Sequence, residues 1–159
     1  MKDTCKILGD LNISYEKYDH PAVFTVEEAS QYDRGIDAGK SKNLFLRNNK
    51  GDTHYLVILQ STKRLDLQRL GQLLNESKLS FASEERLMKY LGLTPGSVGP
   101  FGLINNTDKS VKVIIDSDLL TYQKLSYHPN VNTATLVIAT EDLKKFLEWT
   151  GNSVRYVQL

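Results

Sequence analysis

Lys42 opens the apolar run Lys42-Asn43-Leu44-Phe45-Leu46, and strand alternation puts it in phase with Leu44 and Leu46. A lysine at the mouth of a strand can carry its ammonium on an apolar stem into a pocket; the same spacing also suits one that simply reaches solvent. The second candidate is the stretch Thr94-Pro95-Gly96-Ser97-Val98-Gly99-Pro100-Phe101-Gly102. Four of the chain's ten glycines and two of its four prolines lie between Gly92 and Gly102, so this backbone is shaped rather than loose. Such a loop can aim several N–H groups at one point, as binding a carbonyl oxygen, an oxyanion or a phosphate requires. A rigid helix-to-strand turn without a ligand would have the same composition. The third candidate is His128, in His128-Pro129-Asn130.

Other chemistries find little support. His20, His54 and His128 are far apart, and none has a second ligand-type residue at metal-binding spacing, so neither a metal nor another cofactor is expected. There is no Gly-x-Ser-x-Gly elbow and no phosphate-loop lysine. Cys5, the one cysteine, excludes an internal disulfide and is expected to be a small helix thiol. The carboxylates stand mostly beside lysines or at helix starts, as solvated charges do. At 159 residues, with 40% hydrophobic and 25% charged residues and a net charge of +1, the chain suits one domain, spanning 1–159, with no global pull toward nucleic acid. No apolar run is long enough to span a membrane and Met1–Cys5 is not a signal peptide, so a cytoplasmic location is expected.

The elements that must position these residues follow from periodicity. A first helix is expected over Lys2–Leu11 and a strand over Ile13–Tyr18. Thr25-x-x-Glu28 has the form of a capping box, opening a helix through Tyr32, before a break at Gly35–Gly39. Lys42–Arg47 and Thr53–Leu59 flank Asn48–Asp52 as a hairpin, with Leu56–Leu59 apolar enough to be central. Leucines 65, 67, 70, 73 and 74 mark a helix, and Ser83 caps another carrying Leu87, Met88 and Leu91. Phe101–Ile104 and Val111–Asp116 suggest a second hairpin, and Asp118–Tyr122 a short helix. Strands are expected at Leu125–Tyr127 and Thr133–Ile138. Thr140 caps a last helix to Trp149, stopped by Gly151, and Arg155–Leu159 forms a closing strand. The sum is an α/β domain with a mixed, largely antiparallel sheet and flanking helices.

Three ordered motifs, at 42–46, 91–105 and 128–136, together resemble the YbaK/prolyl-tRNA-synthetase-associated editing family. Within it they most resemble the free-standing alanyl-tRNA(Pro) deacylases of the ProXp-ala or PrdX type. The resemblance covers nearly the whole chain, including the Thr25-x-x-Glu28 helix and Leu79–Ser83. It implies a curved mixed sheet and hydrolysis of the ester joining a wrong amino acid to a tRNA 3′ adenosine. It further implies that Lys42 is the family's essential lysine, that Gly96–Pro100 is its Gly-x-x-x-Pro loop, and that His128 lies near the aminoacyl pocket. Gly99 departs from the pattern, since many relatives place a small hydroxyl residue there.

On this resemblance the catalytic set is Lys42 with Gly96, Ser97, Val98, Gly99 and Pro100. Loop amides would hold the developing oxyanion and Lys42 the anionic end of the substrate or the developing charge. No protein nucleophile or general base is evident, so water is expected to attack directly, with no covalent enzyme intermediate. Substrate contacts are expected from His128 and Asn43, and pocket walls from Leu44, Phe45, Ile58 and Phe101. A basic rim of Lys40, Lys42, Arg47, Lys50, Lys63 and Arg64, with Lys109 and Lys112 as additions, would meet the tRNA acceptor stem. With no synthetase body the chain would act in trans, and prolyl-tRNA synthetase is a candidate partner. Two alternatives stay open: deacylation of cysteinyl-tRNA(Pro) or another small misacylated tRNA, and a non-catalytic module that binds tRNA or a synthetase.

Overall fold

The computed structural model describes residues 3–22 and 38–159. The helix expected to open at Thr25 and the start of the break after it lie outside the described residues. At the centre is the expected hairpin, β2 (Ser41–Asn48) and β3 (His54–Gln60), paired antiparallel. Its turn is closed by one side chain: Asn48 Oδ1 accepts the N–H groups of Gly51, Asp52 and Thr53 at 2.9, 3.1 and 3.2 Å. Gly51 sits there at φ +74°, a left-handed conformation that glycine adopts without steric cost.

The remaining elements are α1 (Thr4–Asp10), β1 (Tyr15–Asp19), α2 (Leu67–Leu73), β4 (Leu79–Phe81) and α3 (Glu84–Leu91). They are followed by β5 (Lys112–Asp116), β6 (Lys124–Tyr127), β7 (Ala134–Ala139), α4 (Thr140–Thr150) and β8 (Val154–Val157). One five-stranded sheet runs β4-β2-β3-β5-β8. Its middle strand, β3, is buried from His54 to Leu59 because apolar side chains cover both faces. Leu56 and Ile58 enter the larger core, and Tyr55 and Val57 the smaller. β5 joins β3 and β8 joins β5 in parallel, which requires the long crossovers that carry α2, α3 and α4.

The architecture is thus α/β with flanking helices, a mixed five-stranded sheet and an antiparallel three-stranded one. What was expected as one sheet is two, because β1, β7 and β6 pair among themselves. A single bridge, Gly39 to Leu125, stitches the chain just before β2 to β6. A Cβ at Gly39 would stand 2.5 Å from the Tyr122 ring, so this approach requires glycine. The stitch places the segment after β6, which carries His128, beside the start of β2.

Two local expectations are corrected. Phe101–Ile104 is not a strand but part of a 3-10 helix, Pro100–Asn105. Its first residue has φ preset near the helical value, and its apolar run is buried on every side, a pattern that periodicity cannot tell from a central strand. Gly102 lacks a Cβ for packing, not for a ligand: one would stand 2.5 Å from Leu93 Cδ1. Thr140 is the first residue of α4 rather than its cap, and its hydroxyl donates to the Tyr122 carbonyl at 2.6 Å.

His54, 3% exposed, is a core histidine. Its ring lies 4.1 Å from Tyr90 and 5.5 Å from Phe45, centroid to centroid, and Arg86 donates to its Nε2 at 3.0 Å. Burial first, then the Arg86 charge, pushes its pKa down to about 4. With the folded value depressed, the unfolded chain binds the proton first. The contribution of neutral His54 is therefore present above about pH 6.5 and is lost as pH falls toward 4. Between pH 7 and pH 5 this residue is expected to cost about 2 kcal/mol of stability. Urea melts at the two pH values should show that loss in the wild type, and much less of it in His54→Gln, which keeps an acceptor for Arg86.

Candidate active site

At the mouth of the hairpin β2 presents Lys42 and Asn43, and strand alternation sends consecutive residues to opposite faces. Asn43 pairs across the hairpin with Ile58 and shares its face with Phe45, on the side of the larger core. Its Nδ2 donates to the Val98 carbonyl at 3.1 Å, while Ser41 Oγ donates to its Oδ1 at 2.7 Å and fixes which end of the amide faces the loop. The Val98 carbonyl and the Gly99 N–H belong to one trans peptide plane and point in opposite directions. Clamping the carbonyl onto Asn43 therefore aims the Gly99 N–H away from β2.

The loop itself is a short 3-10 turn, Pro95–Ser97, followed at once by the 3-10 helix from Pro100. The Ser97 N–H is spent on the Thr94 carbonyl at 3.0 Å, and the Gly102 N–H on the Gly99 carbonyl at 3.2 Å. Among the described residues the N–H groups of Gly96 and Gly99 have no acceptor. Gly99 is extended, at φ −175°, and a Cβ there would stand 3.8 Å from Asn43 Nδ2 and 3.9 Å from the His128 carbonyl oxygen. Those are ordinary contact distances, so a small hydroxyl residue would also fit.

His128 thus borders the loop through its backbone. Its Nδ1 lies 2.8 Å from the Ala134 carbonyl. A carbonyl only accepts, so Nδ1 carries the hydrogen and Nε2 is the lone-pair nitrogen of the neutral ring. The ring stands edge-on to His20 at 5.9 Å, and His20 Nε2 pairs with Thr135 Oγ1 at 3.0 Å.

Lys42 pairs with Leu59 and shares a face with Leu44 and Leu46, and its ammonium donates to the Lys63 carbonyl at 2.8 Å. The hydrogen bonds of the structure therefore unite Asn43 with the loop, with His128 alongside, and hold the Lys42 ammonium against the Gln60–Lys63 turn instead. Among the expected pocket walls, Phe45, Ile58 and Phe101 are buried in the larger core and back the site, with Phe101 edge-on to Tyr127 and Phe146. Leu44 packs against the smaller core on the other face.

The basic residues do not form one rim. Lys40, Lys42, Lys63 and Arg64 gather at the Ser41–Gln60 end of the hairpin. Arg47, level with His54, and Lys112, level with Tyr55, lie at the other end, about 17 Å along the strands. Lys50 is in the far turn, Lys109 precedes Lys112, and Arg47 donates to the carbonyls of Asn48 and Asn49 at 3.2 and 3.1 Å. The Lys63 ammonium is held within the protein, 3.0 Å from the Asp116 carboxylate, beside Asp118, and 2.8 Å from the Leu159 carbonyl. Burial opposes its charge, but hydrogen bonds to Asp118 and Asp116 outweigh that and raise its pKa.

Residue-by-residue sequence patterns passed over Ser41, Asp116 and Asp118; the Ser41–Asn43 and Asp116–Asp118 bonds are each two residues apart and so local, whereas the bonds from Lys63 to Asp116 and Asp118 span more than 50 residues. Among the described residues no group of three His, Cys, Asp or Glu side chains could hold a metal ion, and no helix is long and apolar enough to cross a membrane.

Fold and loop together define a class: α/β domains with a proline-flanked loop clamped beside the mouth of a central hairpin. Residues 20–146 match the family model of the aminoacyl-tRNA editing domain. The prolyl-tRNA editing protein ProX of Acetoanaerobium sticklandii is 41% identical over 152 residues, covering 96% of this chain and 93% of that protein. The mouse prolyl-tRNA synthetase associated domain-containing protein 1 is 34% identical over 149 residues, covering 91% and 88%. A crystal structure titled as a candidate trans-editing enzyme for prolyl tRNA synthetase superposes with a TM-score of 0.71 at 22% identity, covering 98% and 96% of the two chains. The chain belongs to the aminoacyl-tRNA editing domain family.

Proposed function

We propose that this chain is a trans-acting editing hydrolase that cleaves the ester between alanine and the 3′ adenosine of mischarged tRNA(Pro), releasing alanine and free tRNA. The observation that carries the mechanism is the peptide plane held by Asn43, which fixes the direction of the Gly99 N–H. Ester hydrolysis is downhill, so the site has to place the carbonyl and stabilise the negative charge on its oxygen. The Gly99 N–H, with that of Gly96, suits that oxygen because it is set before the substrate arrives and needs no change of protonation. Water is the nucleophile, assisted by the ribose 2′-hydroxyl, and no acyl-enzyme forms. His128 Nε2 accepts a proton donor of the aminoacyl group.

Lys42, on the opposite face of β2 from the loop contact, serves the anionic end of the substrate, and Lys40 and Arg64 extend that cationic end toward the acceptor-stem phosphates. A synthetase pocket shaped for proline cannot exclude alanine strongly, since a missing methylene is worth only about 1–3 kcal/mol. A second site that admits alanine and sterically rejects proline completes the discrimination. The name of the mouse relative supports prolyl-tRNA synthetase as the partner from which mischarged tRNA arrives.

The test is a side-by-side deacylation assay on alanyl-, cysteinyl-, seryl- and prolyl-tRNA(Pro). Alanyl-tRNA(Pro) is expected to turn over at least about tenfold faster than the others, the discrimination that a one-group size difference permits. Faster cleavage of the cysteinyl ester would favour the thiol-assisted alternative, and no cleavage of any would leave a binding module.

A further inference from the structure

Asp116 is fully buried, 0% exposed, and assigned no part in the chemistry above. Its carboxylate accepts the Gln60 N–H at 3.1 Å and the Asp118 N–H at 3.2 Å, and receives the Lys63 ammonium at 3.0 Å. Burying a carboxylate and an ammonium costs several kcal/mol in desolvation, and apolar residues of similar size would often stabilise a fold as well or better. What the cluster does achieve is immobility. The Lys63 N–H bonds the Gln60 carbonyl at 3.0 Å, and the Gln60 N–H in turn bonds Asp116. Residues 60–63 are thus tied to one carboxylate through the backbone at one end and through the Lys63 side chain at the other.

The group this leaves stationary is the Lys63 carbonyl, the acceptor of the Lys42 ammonium at 2.8 Å. An unrestrained lysine side chain samples many rotamers; anchored by one of its three N–H donors, it keeps two for a ligand in a defined direction.

We propose that Asp116, Asp118 and Lys63 form a positioning device that fixes the Lys63 carbonyl and, through it, the Lys42 ammonium at the substrate end of β2. None of the three touches the substrate. Lys63 accordingly belongs to the site as a support for Lys42, not as a phosphate contact on its surface. This inference rests on the deacylase reading for its effect on turnover, but its structural half does not.

The experiment pairs both halves in Asp116→Asn and Asp118→Asn; the latter alters a side chain that is 37% exposed, so it folds even if the former does not. On alanyl-tRNA(Pro), each is expected to lower kcat about tenfold while leaving KM within about twofold, as loss of orientation does. In a Lys42→Ala background, Asp118→Asn is expected to add no further loss, because the ammonium it positions is gone. A full second loss in the double variant, or unchanged kcat in Asp118→Asn, overturns the proposal. NMR of 15N-lysine-labelled protein without substrate supplies the independent arm. The Lys42 ammonium signal, assigned by its absence in Lys42→Arg, is expected to be sharp and slowly exchanging in the wild type and broadened in Asp118→Asn. If the wild type cleaves no aminoacyl-tRNA, the deacylase reading fails while this signal still decides the positioning; an unchanged signal in Asp118→Asn overturns it.

Discussion

Replacing Lys42 by alanine is expected to lower kcat/KM for alanyl-tRNA(Pro) hydrolysis by about 10- to 100-fold, the range for losing one hydrogen bond between charged groups at the anionic end of the substrate. The side chain is half-buried and, among the described residues, makes one hydrogen bond, to the Lys63 carbonyl. Stability should therefore fall by no more than about 1 kcal/mol, and the loss cannot be ascribed to unfolding. Lys42→Arg keeps the charge but replaces a compact ammonium with a planar fork whose geometry differs, so it should recover only part of the activity. Single-turnover rates with saturating enzyme separate the chemical step from tRNA capture. Near-normal turnover in Lys42→Ala would remove this residue from the mechanism.

The second large effect is expected at Asn43. In Asn43→Ala the Val98 carbonyl loses its donor, and the peptide plane that aims the Gly99 N–H is no longer held against β2. A fall in kcat of about 100-fold is expected, with KM nearly unchanged, because the lost interaction matters only once charge develops on the substrate oxygen. Asn43→Asp should be worse. It keeps the size of the side chain but turns an acceptor toward the Val98 carbonyl and brings a negative charge beside the developing oxyanion. Melting temperature measured alongside guards against a folding defect. Equal kcat in wild type and Asn43→Ala would show that the loop holds its own shape, and the clamp would be irrelevant to catalysis.

Much of the frame was legible in the sequence because it depends on neighbours in the chain. The Asn48–Asp52 turn, the Ser83 cap, whose hydroxyl accepts the Arg86 N–H at 3.2 Å, and the Gly151 stop at φ +80° each involve residues within a few positions of one another. The motifs carrying the family resemblance were legible for the same reason. The 3-10 helix at Pro100–Asn105 was not, since an apolar run buried on all sides has no period to betray its type. Nor was the division into two sheets, which turns on the pairing of β1 with β7, more than 100 residues downstream.

By itself the sequence determined which groups are available: a lysine and an asparagine side by side at a strand mouth, a proline-flanked glycine loop, and a histidine ahead of a proline. It also determined their parity, since alternation along β2 is a local property. Only the tertiary structure decided which of the two reaches the loop. The bond from Asn43 to Val98 spans 55 residues and the one from Lys63 to Asp116 spans 53. Contacts at such separations follow from sheet order and crossover, which set which face of β2 looks toward the loop and which toward the buried carboxylate. Residue type and spacing name the chemistry within reach, and the stacking of distant segments assigns each group its partner.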